Sequence, residues 1–375
     1  MSAVTGSRRP AESLLAGRTI SGPVSARMTI DGKEYINFYG AGYLALSGLS
    51  EIRAAVMRTL AQGAPFGRQV PSILGAVDTV FDDLERAGAA ACGTESSVYF
   101  ASGYMIGRVG LASLEQPFDV LVLDERAHYN LTEAAKVSGL PSFAFAHCDV
   151  DSLRELLKRQ VRANQRPLLI TDGAFATNGR IPPLADYAAV LAPYDGRLFV
   201  DEAHSFGVVG ANGRGAVEFC KVEHTAAAGA TLSKAFCGQG AIVGCSAASA
   251  ERLRFAPVIR GACAGSPLSA AAATASLAYV AARPELRTSL HAMGDYLRLQ
   301  LRNIGIDVFD TPAPIVSFQC GNRADMLALQ RRLFDRGIYV LHSTYIGAGP
   351  EGVIRCAVFR DHAREDIDAL IDALR

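Results

Sequence analysis

No run of apolar residues in this chain approaches the roughly 20 needed to span a bilayer, and the opening MSAVTGSRRP lacks the apolar core of a secretory signal. A soluble, cytoplasmic protein is expected. Net charge is missing as well: lysine plus arginine number 37, against 37 aspartates plus glutamates. No global field therefore draws the chain to nucleic acid or to an anionic membrane, and small-molecule chemistry is the better starting point. The eight cysteines stand singly at 92, 148, 220, 237, 245, 263, 320 and 356, with no C-x-x-C pair and no matching histidine cluster. That spacing argues against structural zinc and disulfides, and suits small buried thiols in a reducing compartment. No metal is expected. Repeats and low-complexity tracts are absent too.

What is present is bulk. The chain has 375 residues, half of them hydrophobic, enough for one large domain and a smaller one. Short buried-strand candidates run Ser97 to Phe100, Val120 to Leu123, Leu168 to Thr171, Leu198 to Val200, Ala227 to Thr231 and Ala241 to Cys245. Helical spacing lies between them, as at Val150 to Ala163 and Leu184 to Ala192. This alternation predicts an α/β layer with a mostly parallel sheet and flanking helices. An alanine-rich helix from about Ser269 to Ala282 is read as a connector. Beyond it, strand candidates Ile315 to Phe318, Tyr339 to His342 and Val353 to Val358 alternate with helices at Ala324 to Asp335 and Arg364 to Leu374. The predicted organisation is an N-terminal arm (1–48), a large α/β domain (49–268) and a smaller α+β domain (269–375).

In parallel sheets ligands gather beyond the carboxyl ends of the strands. The suspects are Ala101-Ser-Gly-Tyr104, Asp124-Glu-Arg-Ala-His128, Asp172-Gly-Ala-Phe175, Asp201-Glu-Ala-His204 and Ser233-Lys234. Three motifs nearby mislead. Gly347-Ala-Gly-Pro-Glu-Gly352 spells a dinucleotide fingerprint, but a strand follows it where a helix is required. Asp201-Glu-Ala-His204 spells a helicase box, yet no phosphate-binding loop precedes it. Ser233-Lys234 lacks the three-residue offset of the penicillin-binding pattern.

Lys234 closes a strand of small residues, and alone it reads as a strand-end surface lysine. Asp201 closes the hydrophobic run Leu198-Phe-Val200 and changes that reading. A carboxylate there can pair with the protonated nitrogen of a pyridine ring, which keeps the ring an electron sink, while a desolvated lysine forms a Schiff base with the cofactor's aldehyde. This is pyridoxal 5'-phosphate chemistry. Ser102, Gly103 and Tyr104 can open a helix whose amides bind the phosphate, with Thr231 and Ser233 as further donors. His128 could stack on the ring; His204 could contact the phenolic oxygen or orient Asp201. Either histidine alone is more often a satisfied structural residue. Arg355, inside the apolar strand Val353-Ile-Arg-Cys-Ala-Val358, calls for a partner: a substrate carboxylate or an internal salt bridge.

Taken together, these residues resemble the α-oxoamine synthases among the fold-type-I pyridoxal-phosphate enzymes. The resemblance runs from about Ile30 to the C-terminus. It rests on Asp31-Gly-Lys-Glu-Tyr-Ile-Asn37, Phe100-Ala-Ser-Gly-Tyr104, Asp124-Glu-Arg-Ala-His128, the stretch from Val200 to Gly215 and Thr231-Leu-Ser-Lys234. It implies that Lys234 is the Schiff-base lysine, Asp201 the pyridinium partner and His128 the stacking residue. It also implies that His204 contacts the phenolic oxygen, that Arg355 clamps the substrate carboxylate, and that the protein is a homodimer. The implied reaction joins an amino acid to an acyl thioester, of CoA or of a carrier protein, giving an α-amino ketone. Another fold-type-I reaction, transamination or carbon–carbon cleavage, is the alternative, and a non-catalytic subunit is a third reading.

Four departures from the family pattern stand out. Ala41-Gly-Tyr-Leu-Ala45 replaces Asn-Asp-Tyr-Leu-Gly, and Phe175-Ala176-Thr-Asn-Gly179 replaces Phe-Ser-Met-Asp-Gly. Ala262-Cys263 replaces a hydroxyl pair, and Pro65 to Gln69 alters a glycine-rich stretch. They imply a live enzyme with changed substrates.

Overall fold

The computed structural model describes residues 13–69 and 76–375. The chain divides into two compact units: residues 49–175 with 181–285, and residues up to 48 with 176–180 and 286–375.

The first unit is built on a seven-stranded sheet. Its strands in chain order are β1 (Ser96–Phe100), β2 (Val120–Asp124), β3 (Ser142–Phe145), β4 (Pro167–Asp172), β5 (Arg197–Asp201), β6 (Ala226–Thr231) and β7 (Ala241–Cys245), arranged β1-β7-β6-β5-β4-β2-β3. Neighbours from β6 through β5, β4 and β2 to β3 are parallel, whereas β7 is antiparallel to both β6 and β1. The runs VLVLD and PLLITD are buried at every position, as strands covered on both faces must be. Alternate residues feed two cores. Leu121, Leu123, Leu168, Ile170 and Phe199 pack on one face; Val120, Val122, Leu169, Leu198 and Val200 pack on the other.

Period-two alternation then places Asp172 and Asp201, two residues past Ile170 and Phe199, on the first of those faces. The helix Ile106–Ser113 covers it, and Gly110 is what lets it close: a Cβ there would lie 1.9 Å from the Phe199 ring. Gly107 does the same for the next helix, Tyr129–Ser138, since a Cβ at 107 would meet Asn130 O and the Ala134 Cβ, each at 2.8 Å. Two glycines thus bring the helix beginning just after His128 onto the sheet end that carries the acids.

The alanine-rich helix, Pro267–Ala281, packs on Ser50–Ala61 and Thr79–Cys92. It belongs to the large unit, so the divide falls near Glu285 rather than at 268/269. Residues 13–48, expected as a separate arm, share a unit with the C-terminal part: Lys33–Asn37 pairs in parallel with Ile338–Tyr339. The expected strand Tyr339 to His342 is split at Val340. Ile338–Tyr339 joins that N-terminal sheet, and Leu341–Ser343 pairs with Val353–Ala357, which also pairs with Ile315–Phe318. The Gly347–Gly352 segment leads into that strand and not into a helix.

Candidate active site

Lys234 follows β6 by three residues, half-buried, and its Nζ lies 2.8 Å from His204 Nε2. Asp201 ends β5 and is 2% exposed. Its Oδ1 accepts from the Ala203 amide at 2.9 Å, and its Oδ2 accepts from Asn130 Nδ2 at 2.7 Å. Both of its oxygens are thus engaged by donors. Asn130 itself is buried, and its Oδ1 has no hydrogen-bond partner.

His128 caps the helix Tyr129–Ser138. Its Nδ1 accepts from the Asn130 amide at 3.2 Å, and its own backbone amide donates to Asp172 Oδ2 at 2.9 Å. Burial lowers the pKa of its ring, against the pull of Asp201. A neutral imidazole can lie against a cationic heterocycle without charge repulsion.

Hydroxyls and a helix start converge beside these groups. Ser102 caps the turn Gly103–Met105, which runs directly into Ile106–Ser113, its Oγ accepting from the Tyr104 amide at 3.3 Å. A Cβ on Gly103 would meet Thr231 Oγ1 at 2.7 Å, so only glycine lets this turn press against the end of β6. Thr231 Oγ1 donates to Gly240 O at 3.0 Å and lies 2.8 Å from Ser233 Oγ. The donor set is hydroxyls and amides at a helix N-terminus for a phosphate, a buried carboxylate for a ring N–H, and an amine for an aldehyde. That set fits pyridoxal 5'-phosphate.

The fold and the large-unit site meet in the comparisons with known proteins. Residues 52–374 match the family described as aminotransferase class I and II. The chain belongs to that family. Within it, the chain is an α-oxoamine synthase by its relatives. It is 31% identical over 360 residues to a putative 8-amino-7-oxononanoate synthase of Nostoc punctiforme, covering 95% of this chain and 91% of that one. It is 26% identical over 368 residues to the 8-amino-7-oxononanoate synthase of Alkaliphilus metalliredigens, again covering 95% and 91%. Among solved structures, the serine palmitoyltransferase of Sphingomonas wittichii superposes with a TM-score of 0.87 at 23% identity, covering 98% of this chain and 92% of that one, which shows the fold.

In the small unit Arg355 is 7% exposed. Its Nε donates to Ala176 O at 2.7 Å and its Nη1 to Gly40 O at 3.2 Å, and Nη2 lies 3.5 Å from the Tyr43 hydroxyl. These partners are all neutral oxygens, and among the described residues no carboxylate pairs with Arg355. Two of the segments that depart from the family pattern, 41–45 and 175–179, supply or adjoin these contacts. The other two departures meet each other: Cys263 pairs with Gln69 across a short antiparallel ladder in the large unit.

Sequence reasoning passed over two side chains. Asn130 looked like an ordinary first-turn residue; only its burial beside Asp201 marks it. Glu202, 1% exposed, accepts from the Ala216 and Val217 amides, each at 2.8 Å, and from the Ser205 hydroxyl, closing the loop from His204 to Gly215. Asp124, His147 and Cys148 also come together, with His147 Nδ1 2.9 Å from Asp124 Oδ1 and Cys148 Sγ 3.7 Å from Nε2. Asp124 Oδ1 also accepts from the Arg126 amide and Oδ2 from that of Cys148. Asp124 thus also ties down two backbone amides beside the histidine and the thiol.

Proposed function

We propose that this chain condenses an amino acid with an acyl thioester, with loss of carbon dioxide, to give an α-amino ketone, using pyridoxal 5'-phosphate bound at Lys234. The observation that carries the reading is the Lys234–His204 contact of 2.8 Å, in the same unit as the buried, doubly hydrogen-bonded Asp201. When bound, the cofactor supplies an electron sink for the amino acid's α-carbanion. Lys234 would hold the cofactor through its amine and, when free, its Nζ would accept the amino acid's α-proton. Asp201 would pair with the ring nitrogen. His204, 2.8 Å from Nζ, would orient that amine and contact the phenolic oxygen, and His128 would stack on the ring. Ser102, Gly103, Tyr104, Thr231 and Ser233 take the phosphate. Arg355 gives its charge to the amino acid's carboxylate, because its partners among the described residues are neutral oxygens.

The relatives named 8-amino-7-oxononanoate synthase support this class of reaction for the chain. The acyl donor is a CoA or carrier-protein thioester, and the working form is a cytoplasmic homodimer that needs no nucleic acid. Among the described residues no helix is long and apolar enough to cross a membrane. The test is to load purified protein with the cofactor and offer amino acids and acyl-CoAs in pairs, following free thiol and the ketone product. Thiol release that depends on the amino acid supports the reading. A keto acid formed without thiol overturns it in favour of transamination.

A further inference from the structure

Asp172 and Asp201 are in-register neighbours on parallel strands β4 and β5, so their side chains leave the same face of the sheet. Both are buried, at 4% and 2% exposed. Two like charges so placed cannot both persist at neutral pH without large cost, and the hydrogen bonds decide which one yields. Asp201 receives two donors, the Ala203 amide and Asn130 Nδ2. Asp172 receives one, the His128 amide at 2.9 Å, and that bond needs only a carbonyl oxygen. The other groups facing Asp172 are Lys234, whose charge favours the anion, and Asp124 on the far side of β4, whose charge opposes it.

Resting on the pyridoxal-phosphate reading, we infer that Asp172 is an uncharged positioning acid: it stays protonated, orients His128 through its backbone amide, and leaves Asp201 as the one anion offered to the cofactor ring. Burial first, and Asp201 second, push the Asp172 carboxyl well above its usual range, in accord with that placement. The arrangement removes an ambiguity that two adjacent acids would create. If both were charged, the ring proton could be drawn to either side; with one neutral, it is drawn to Asp201 alone.

An amide is the isosteric stand-in for a protonated acid, so Asp172→Asn should be mild where Asp201→Asn is severe. Cofactor titration of the apoprotein, followed by calorimetry in two buffers of different ionisation enthalpy, gives both affinity and proton count. The expected result for Asp172→Asn is affinity within a few-fold of wild type and an unchanged proton count, whereas Asp201→Asn loses affinity by orders of magnitude. Asp172→Ala, which lacks the acceptor, should weaken binding more than Asp172→Asn. A loss with Asp172→Asn equal to that with Asp201→Asn, or a proton count altered by one, overturns the inference.

A second measurement needs no cofactor. A carboxyl protonated in the fold and ionised when unfolded makes stability fall as pH rises above the ordinary carboxylate range. The melting temperature of Asp172→Asn should therefore gain on wild type between pH 5 and pH 8. Melting curves that stay parallel overturn the inference. Failure of wild type to bind the cofactor at all would instead sink the functional reading, while the apoprotein melts would still decide the charge on Asp172.

Discussion

The two candidate sites, one in each unit, handle a buried charge in opposite ways. In the large unit, ionisable groups are set against one another: Asp172 beside Asp201, Lys234 on His204, and His128 within reach of Lys234 and Asp201. In the small unit, Arg355 is held by two backbone carbonyls and stands near a tyrosine hydroxyl, with no carboxylate among these partners. The first arrangement shifts protons and suits a site where bonds are made. The second fixes a cation and leaves its charge for something else, which suits binding. Substitutions in the large unit should therefore act on chemistry, and those around Arg355 on saturation.

The sharpest break would come at Lys234. Replacing it with alanine should abolish both turnover and the visible absorbance of the cofactor-loaded protein, read on a simple spectrum. A retained band would place the covalent bond elsewhere and dissolve the contrast. Asp201→Asn comes next: at cofactor concentrations high enough to offset its weaker binding, the rate of α-proton exchange, measured by deuterium wash-in at the amino acid, should still fall by several orders of magnitude. Should exchange persist at near-wild-type rates, the acid under the ring is not needed as an electron-sink partner. Arg355→Ala should do less to chemistry and more to affinity, raising KM for the amino acid with kcat changed little. It should also lower stability by about 2 kcal/mol, since hydrogen bonds from a charged group are lost. An unaltered KM would show that the guanidinium serves only the chain that surrounds it.

Much of this contrast was legible in the sequence because the large-unit site hangs on strand ends. A buried parallel strand writes itself as an apolar run, and the first polar residue after it is on the page: Asp124, Asp172, Asp201 and Ser233 were all found that way. The edge strand Ser142–Phe145, short and led by Pro141, carried too little of that signal. Asn130 had none, since its importance comes from two glycines, 107 and 110, that allow the covering helices to close. The helix Glu285–Asn303 was missed although Leu286, Leu290, Leu297 and Leu301 recur at helical spacing along its buried face. Likewise the unit formed by residues 13–48 with the C-terminal part rests on pairings more than 300 positions apart, such as Lys33–Asn37 with Ile338–Tyr339 and the Ala357 amide on Phe38 O, which no local pattern encodes.

The smallest effect tests whether the proton sensitivity of the large unit extends to its scaffold. Glu202 is buried, and desolvation pushes its carboxyl up to about 7 even though Ser205, Ala216 and Val217 all donate to it. Its folded value thus lies above the ordinary 4.5 of the unfolded chain. The fold holds the proton more tightly, so the stabilising contribution is complete at low pH and drains away as pH climbs from about 4.5 to about 7, by about 3 kcal/mol at most. Glu202→Gln abolishes that drain but gives the three donors one acceptor oxygen where they had two, a loss of about 1–3 kcal/mol. Urea midpoints of the apoproteins should therefore show the variant clearly weaker at pH 5 and the gap narrowing by pH 8. A gap that widens with pH would mean that the three donors outweigh burial and that Glu202 is an ordinary anion in the fold. The loop from His204 to Gly215 would then be tied down by a fixed charge, as in the small unit, and the contrast between the two units would be confined to the groups that touch the cofactor.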